Sequence, residues 1–223
     1  MPEAGYRHHW IDGSPIELPV GKAVCVGRNY VEHARELGNA VPDEPVLFMK
    51  PASAIVGLDE PLHLPEGQGA VHHEVEMAVL MGERLRRGDA EQARYAIHGY
   101  GLALDLTLRE LQNRLKEQGQ PWERAKAFDG ALPLSGFVEA RGISVKQNLR
   151  LALEVNGELR QHADTGQMLM PPFALLSHIS HCFTLEPGDL VLTGTPAGVG
   201  PLAAGDRLRM HLGNVLSASA IIA

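Results

Sequence analysis

The sequence predicts a β-dominated α+β fold with few helices, and three observations carry that reading. Residues 72–80 run from two histidines and two glutamates into unbroken apolar sequence, the pattern of a strand buried on both faces. Beyond residue 130 the signals are short strands and turns, including a hairpin pattern at 151–161 with Asn156-Gly157 as its turn. Helical signals are scattered and do not alternate with strands, which argues against a regular βαβ fold.

Taken in order, residues 1–20 read as a small leading piece packed on the core, with Asp12-Gly13 able to turn a hairpin. Residues 21–223 form the main domain. Residues 23–26 form a short strand opening into Gly27-Arg28-Asn29-Tyr30, and 31–37 a short helix stopped by Gly38. Residues 39–45, with Pro42 and Pro45, form a loop. Short strands follow at 46–50 and 54–57, then a Pro- and Gly-rich loop to Gly69 and the strand carrying Glu74 and Glu76. Asp89 is placed to cap a helix through about Ile97, closed by Gly99. Residues 101–106 read as a strand. Thr107 and Glu110 form a capping-box pattern for a helix with Leu108, Leu111 and Leu115 along one face. The pattern continues with a helix at 172–181, a buried strand at 190–193, a Gly- and Pro-rich loop at 193–200 and closing strands at 205–212 and 215–222.

The chain has 223 residues and a net charge of −7, which fits one domain, or one domain with a small appendage, handling small molecules and argues against a general nucleic-acid binder. No apolar run approaches the roughly 20 residues needed to cross a bilayer. No signal-peptide plan opens the chain and no CxxC pair occurs, so the expectation is a cytoplasmic protein without membrane attachment. The 11 histidines include no HxxxH or Cys/His cluster at ligand spacing, which leaves zinc through histidine without support.

In a strand, Glu74 and Glu76 point the same way. Two carboxylates together at the edge of a core demand compensation by proton uptake, basic partners or a cation. Asp105 lies after a strand-like run and can supply a third oxygen ligand, a set that suits Mg²⁺ or Mn²⁺. The bland alternatives are a turn residue at 105 and a strand edge paired with Lys or Arg. His33 and Glu36 share a helix face and could form a base with its orienting carboxylate, or simply a solvated surface. Arg109 and Gln112 are within reach of anything bound near Asp105. Lys126 is a lone lysine beside a glycine turn.

These segments together resemble one family. The matching motifs are Gly27-Arg28-Asn29-Tyr30-Val31-Glu32-His33, Phe48-Met49-Lys50-Pro51, His73-Glu74-Val75-Glu76, the run from Gly99 through Gln112, Lys126-Ala127-Phe128-Asp129, Glu186-Pro187-Gly188-Asp189 and Thr193-Gly194-Thr195-Pro196-Ala197-Gly198-Val199-Gly200. The chain resembles the fumarylacetoacetate hydrolase family in its short form, related to acylpyruvases and to oxaloacetate decarboxylases or tautomerases. One departure is Glu110, where the family commonly has Asp. The resemblance implies a mixed β-roll, a homodimer, and Mg²⁺ or Mn²⁺ held by Glu74, Glu76 and Asp105. It implies that His33 and Glu36 form a water-activating pair on a segment that ligand binding can order. Lys126 and Gln112 would assist catalysis, and Arg28, Tyr30, Arg109 and Thr195 would bind substrate.

The activity expected first is hydrolysis of a carbon–carbon bond in an acylpyruvate, a small 2-oxo acid, giving pyruvate and a carboxylic acid. The alternatives are an oxaloacetate tautomerase or decarboxylase and an isomerase or decarboxylase of homoprotocatechuate-pathway 2-oxo acids. A metal-binding module without catalysis is a further possibility, although none of the groups named above is missing.

Overall fold

Fifteen strands and five α-helices occur among residues 5–38, 40–143 and 148–223, which the computed structural model describes. The first part of the chain supplies β1 (Ala23–Gly27), α1 (Val31–Glu36), β2 (Val46–Lys50), β3 (Ile55–Gly57), β4 (Val71–His73) and β5 (Val75–Met81). The middle supplies α2 (Ala90–Ala96), β6 (Ile97–Leu104), β7 (Thr107–Leu108), α3 (Arg109–Glu117), α4 (Glu123–Lys126), β8 (Leu132–Leu134) and β9 (Val138–Glu139). The last part adds β10 (Arg150–Val155), β11 (Glu158–Asp164), α5 (Pro172–Cys182), β12 (Leu190–Leu192), β13 (Gly200–Pro201), β14 (Arg207–Leu212) and β15 (Leu216–Ile221). The architecture is therefore the β-dominated α+β one that the sequence predicts.

The main sheet runs in the order β2-β1-β12-β5-β6-β8-β3, with β9 also on β6. It is mixed: β1 with β12 and β3 with β8 are parallel, and the other pairs are antiparallel. Side chains alternate across it as the period of two requires. Val24, Val26, Met77 and Val79 face one apolar cluster, while Ala23, Cys25, Ala78 and Leu80 face another. The first cluster is closed by the second sheet, β11-β10-β14-β15, through Leu151, Leu153, Met210 and Leu212. The second is closed by the leading segment through Ile16, with Trp10, Leu18 and Val20 packed alongside. Every residue of β5 is buried, which explains its unbroken apolar composition.

Local chemistry explains several elements. His9 and Pro15 bridge as a hairpin whose turn uses Gly13 at φ +83° and an Asp12 carboxylate accepting from the Ser14 amide. Asn156 and Gly157, both at positive φ, make the tight turn between β10 and β11. Asp89 and Gln92 form a reciprocal capping box at the start of α2.

Three local expectations change. The Thr107–Glu110 pattern does not cap a helix: Thr107 belongs to β7, pairs with β4, and donates its hydroxyl to the Asp105 carbonyl. The helix starts at Arg109 instead, and Leu108, Leu111 and Leu115 are still buried. Gly99 does not close α2 but lies in β6, where any Cβ would press on the Val138 carbonyl of β9. β11 continues past Gln161, where the hairpin pattern ends, to Asp164. Of the loop expected at 39–45, residue Asn39 lies outside the described residues, and 40–45 carry no regular element.

Candidate metal centre and active site

The acidic cluster arises where two sheets meet. β4 belongs to a small sheet, β13-β4-β7, and β5 to the main sheet, with Glu74 at the join between them. The antiparallel register pairs Val75 with Leu104, so Glu74 comes opposite Asp105, whose amide donates to the Glu74 carbonyl at 2.8 Å. Glu74, Glu76 and Asp105 can each bring one carboxylate oxygen within 4.8 Å of the others, and all are buried.

Among the described residues, Lys126, Arg109 and Lys50 pair with Glu74 and Asp105. Lys126, at the end of α4, donates to Glu74 at 2.8 Å and to Asp105 at 2.6 Å. Arg109, the first residue of α3, pairs with Glu74 and donates at 2.7 Å to the Gln112 side-chain oxygen. Lys50, at the end of β2 and fully buried, approaches Asp105 Oδ1 to 2.8 Å. Its ammonium also donates to the Leu106, Lys126 and Ala131 carbonyls, so it ties β2 to the turn that carries Asp105. The Lys50 contact does not meet hydrogen-bond geometry, and Asp105 Oδ1 remains a buried acceptor without a hydrogen-bond partner.

The charge environment differs between the two glutamates. Burial opposes ionisation of Glu74, but Lys126 and Arg109 overcome it and hold the group well below the usual carboxylate range. Burial and the repulsion of Asp105 and Glu74 push Glu76 up, only partly offset by the Gly194 amide that donates to it at 2.5 Å. A hard divalent cation would satisfy both the unpartnered Asp105 oxygen and the repulsion on Glu76, so the donor set fits Mg²⁺ or Mn²⁺.

The cleft over this cluster, about 40 Å³, is lined by Arg28, His33, Phe48, Arg109, Gln112, Lys116, Trp122, Lys126 and Thr195 as well as the three carboxylates. His33 projects from α1, and its Nδ1 lies 3.3 Å from Glu36 Oε2. A carboxylate only accepts, so Nδ1 carries the proton and Nε2 keeps the lone pair. Burial lowers the His33 pKa, with Glu74 and Glu36 offsetting part of the effect. The other Glu36 oxygen accepts from the Gly198 amide at 3.0 Å, joining α1 to the glycine-rich loop. Thr195, in that loop, donates to the Val75 carbonyl at 2.8 Å. Arg28 lines the cleft from a left-handed backbone at φ +62°, an unusual conformation for a non-glycine residue.

Tyr30 stands apart from this group. It precedes α1, packs in the main core, and lines a separate groove with Arg150, Arg160, His162 and residues 196–198. Sequence alone gives no role to Lys50, Lys116 or Gln161. Lys50 lies within the Phe48-Met49-Lys50-Pro51 motif, but neither its burial nor the meeting of Gln161 with the glutamate strand has a local signature.

A family profile described as "Fumarylacetoacetate (FAA) hydrolase C-terminal" matches residues 22–221. The chain is 53% identical over 204 residues to the oxaloacetate tautomerase YcgM of Escherichia coli (strain K12), covering 91% of this chain and 93% of the relative. It is 44% identical over 194 residues to the mitochondrial oxaloacetate tautomerase FAHD1 of Bos taurus, covering 87% and 88% of the two. A crystal structure of fumarylpyruvate hydrolase from Pseudomonas aeruginosa in complex with Mn²⁺ and pyruvate superposes with a TM-score of 0.92 at 36% identity, over 100% of this chain and 97% of the other.

Proposed function

The chain belongs to the fumarylacetoacetate hydrolase family, and we propose that within it this protein is a divalent-metal-dependent tautomerase of oxaloacetate. The likeness to two oxaloacetate tautomerases over nearly the whole chain carries this reading. It moves the alternative expected from sequence ahead of acylpyruvate hydrolysis. Lys50, Lys126 and Arg109 pair Glu74 and Asp105, and Arg28 and Lys116 also line the cleft, so with a divalent ion bound the site would be cationic and suited to an anionic 2-oxo acid.

Glu74, Glu76 and Asp105 would hold Mg²⁺ or Mn²⁺, which as a Lewis acid polarises a keto oxygen and acidifies the adjacent C–H. In the keto-to-enol direction His33 Nε2 would take a proton from C3 as charge builds on the keto oxygen, and the imidazolium would then hand that proton to the oxygen, restoring the neutral base. The reverse direction returns the proton to C3. No carbon–carbon bond breaks and no water is consumed. Glu36 stabilises the imidazolium that forms. Lys126 and the Gln112 amide stabilise the charge on oxygen, while Arg109 and Arg28 receive substrate carboxylates.

A second reading, hydrolysis of an acylpyruvate, is favoured by the likeness to fumarylpyruvate hydrolase and uses the same His33–Glu36 pair to activate water. The deciding experiment compares kcat/KM with Mg²⁺ for oxaloacetate keto–enol interconversion, oxaloacetate decarboxylation and acetylpyruvate hydrolysis. Tautomerisation is expected to lead by at least about tenfold, a gap of about 1.4 kcal/mol in transition-state stabilisation. A lead for acetylpyruvate would overturn the proposal.

A further inference from the structure

We infer that Gln161, far from the metal ligands in sequence, is a positioning residue that sets the bite of Glu74 and Glu76 on the cation. This rests on the metal-dependent reading above. The need for such a residue comes from the sheet itself. β12 covers β5 along Ala78–Leu80 of the register, and past it the Thr193 amide still donates to the Met77 carbonyl at 3.2 Å. Among the described residues, no strand pairs with β5 on that side at residues 75–77, which carry Glu76. Side chains supplement and then replace the ladder there. Thr193 donates its hydroxyl to the Met77 carbonyl at 2.9 Å, and Thr195 donates to the Val75 carbonyl at 2.8 Å.

Gln161 completes this replacement. It reaches across from β11, is fully buried, and uses every hydrogen-bonding position of its carboxamide. Its oxygen accepts from the Val75 amide at 3.0 Å, which fixes the orientation of the carboxamide. The same oxygen lies 2.9 Å from His73 Nδ1, so that nitrogen carries a proton and donates. Its nitrogen donates to Thr195 Oγ1 and to the Pro196 carbonyl, each at 2.8 Å.

Both polar groups of Val75 are thus held by the Gln161–Thr195 pair, and Val75 is the one residue between the two glutamates. The backbone that separates Glu74 from Glu76 therefore cannot rotate without breaking this set. His73, directly before Glu74, is held by the same oxygen. One carboxamide also ties the glutamate strand to the loop whose Gly194 amide contacts Glu76 and whose Thr195 lines the cleft. Loss of an outer-shell partner bonded to a ligating residue typically costs about 10–100-fold in metal affinity, and Gln161, which acts one step further out through Val75 and His73, belongs at the lower end of that range.

The test is direct titration of the purified protein with Mn²⁺ alone, read by electron paramagnetic resonance, alongside thermal unfolding. Gln161→Met keeps the volume and removes all four hydrogen bonds. Its Mn²⁺ affinity is expected to fall at least about tenfold in protein that is still folded at the titration temperature. Gln161→Glu keeps the acceptor for Val75 and His73 but loses the donor to Thr195 and Pro196, and is expected to fall between the wild type and Gln161→Met. An affinity within about twofold of wild type in either folded variant, even with a lowered melting temperature, would overturn the inference and leave Gln161 a packing residue. If Gln161→Met does not fold, Gln161→Glu alone decides. Mn²⁺ binding needs no substrate, so a wild type that binds Mn²⁺ but fails to interconvert oxaloacetate would sink the tautomerase reading and leave this one standing.

Discussion

The ammonium of Lys126 lies within hydrogen-bonding distance of both Glu74 and Asp105, two of the three carboxylates placed to hold a cation. Burial alone would lower its pKa, but Asp105 and Glu74 raise it, so the lysine stays charged. It therefore competes with a metal for the same oxygens while offering the charge that a developing oxyanion needs. Lys126→Met separates the two effects. Mn²⁺ affinity is expected to hold or tighten, because the carboxylates are no longer shared, while kcat at saturating metal falls by about 10²–10³. Turnover within about threefold of wild type would remove Lys126 from the chemistry. His33 gives a second test at this scale. A base must be neutral, and burial holds the His33 pKa below its ordinary value near 6.5. The rate is thus expected to stay flat through neutral pH and fall only as acidification passes that depressed pKa. The Glu36 hydrogen bond raises the His33 pKa, so Glu36→Gln should move the acid limb of kcat/KM to still lower pH as well as reduce the plateau. An acid limb above 6.5, or one that Glu36→Gln leaves in place, would point to a different base.

At the scale of elements, the turn Glu186-Pro187-Gly188-Asp189 shows how the leading segment is fastened to the main sheet. The Gly188 amide donates to Met81 of β5, and its carbonyl accepts from the Gly21 amide and from the buried His8 ring. Gly188 has φ +88°, and a Cβ there would collide with the Pro19 carbonyl. Gly205 has nearly the same angle, +87°, with open space around it. Gly205→Ala should therefore show backbone strain alone, on the order of 1–3 kcal/mol, while Gly188→Ala should be distinctly worse in thermal unfolding. Equal losses would mean the Pro19 contact relaxes freely. The same elements show what can be read from sequence. Spacing alone brought Glu74 and Glu76 together, because a period of two is a local property of a strand. The partnership of Asp105 with Glu74 depends on the β5/β6 register, and spacing could only offer Asp105 as a candidate. The capping-box pattern at Thr107 predicts a helix start because it is locally complete, yet pairing with β4 prevails there. Lys50 and Gln161 look like ordinary polar residues in strands. Only the meeting of chain segments some 80 residues apart makes each a buried hub.

For the molecule as a whole, the question is how far the fold depends on the metal. Three buried carboxylates without compensation would be strongly destabilising, but Lys50, Lys126 and Arg109 pair Glu74 and Asp105 from three separate elements, and the Gly194 amide donates to Glu76. The metal-free protein is therefore expected to fold. Adding the cation should stabilise it further by mass action, since the unfolded chain cannot assemble ligands from β5 and the end of β6. At free Mn²⁺ about 100-fold above its Kd the gain is about 2.7 kcal/mol. For a chain of this length, at roughly 2–4 °C per kcal/mol, that corresponds to a rise of about 5–11 °C in Tm. Excess chelator should return Tm to the metal-free value without unfolding the protein at room temperature. Glu76→Gln removes one ligand charge and relieves the repulsion that raises Glu76, so this variant should be at least as stable as wild type without metal and gain little from Mn²⁺. A rise of equal size in wild type and Glu76→Gln would place the stabilising ion elsewhere on the protein. A wild type that unfolds in chelator would show that the three cations do not suffice to hold the carboxylates together.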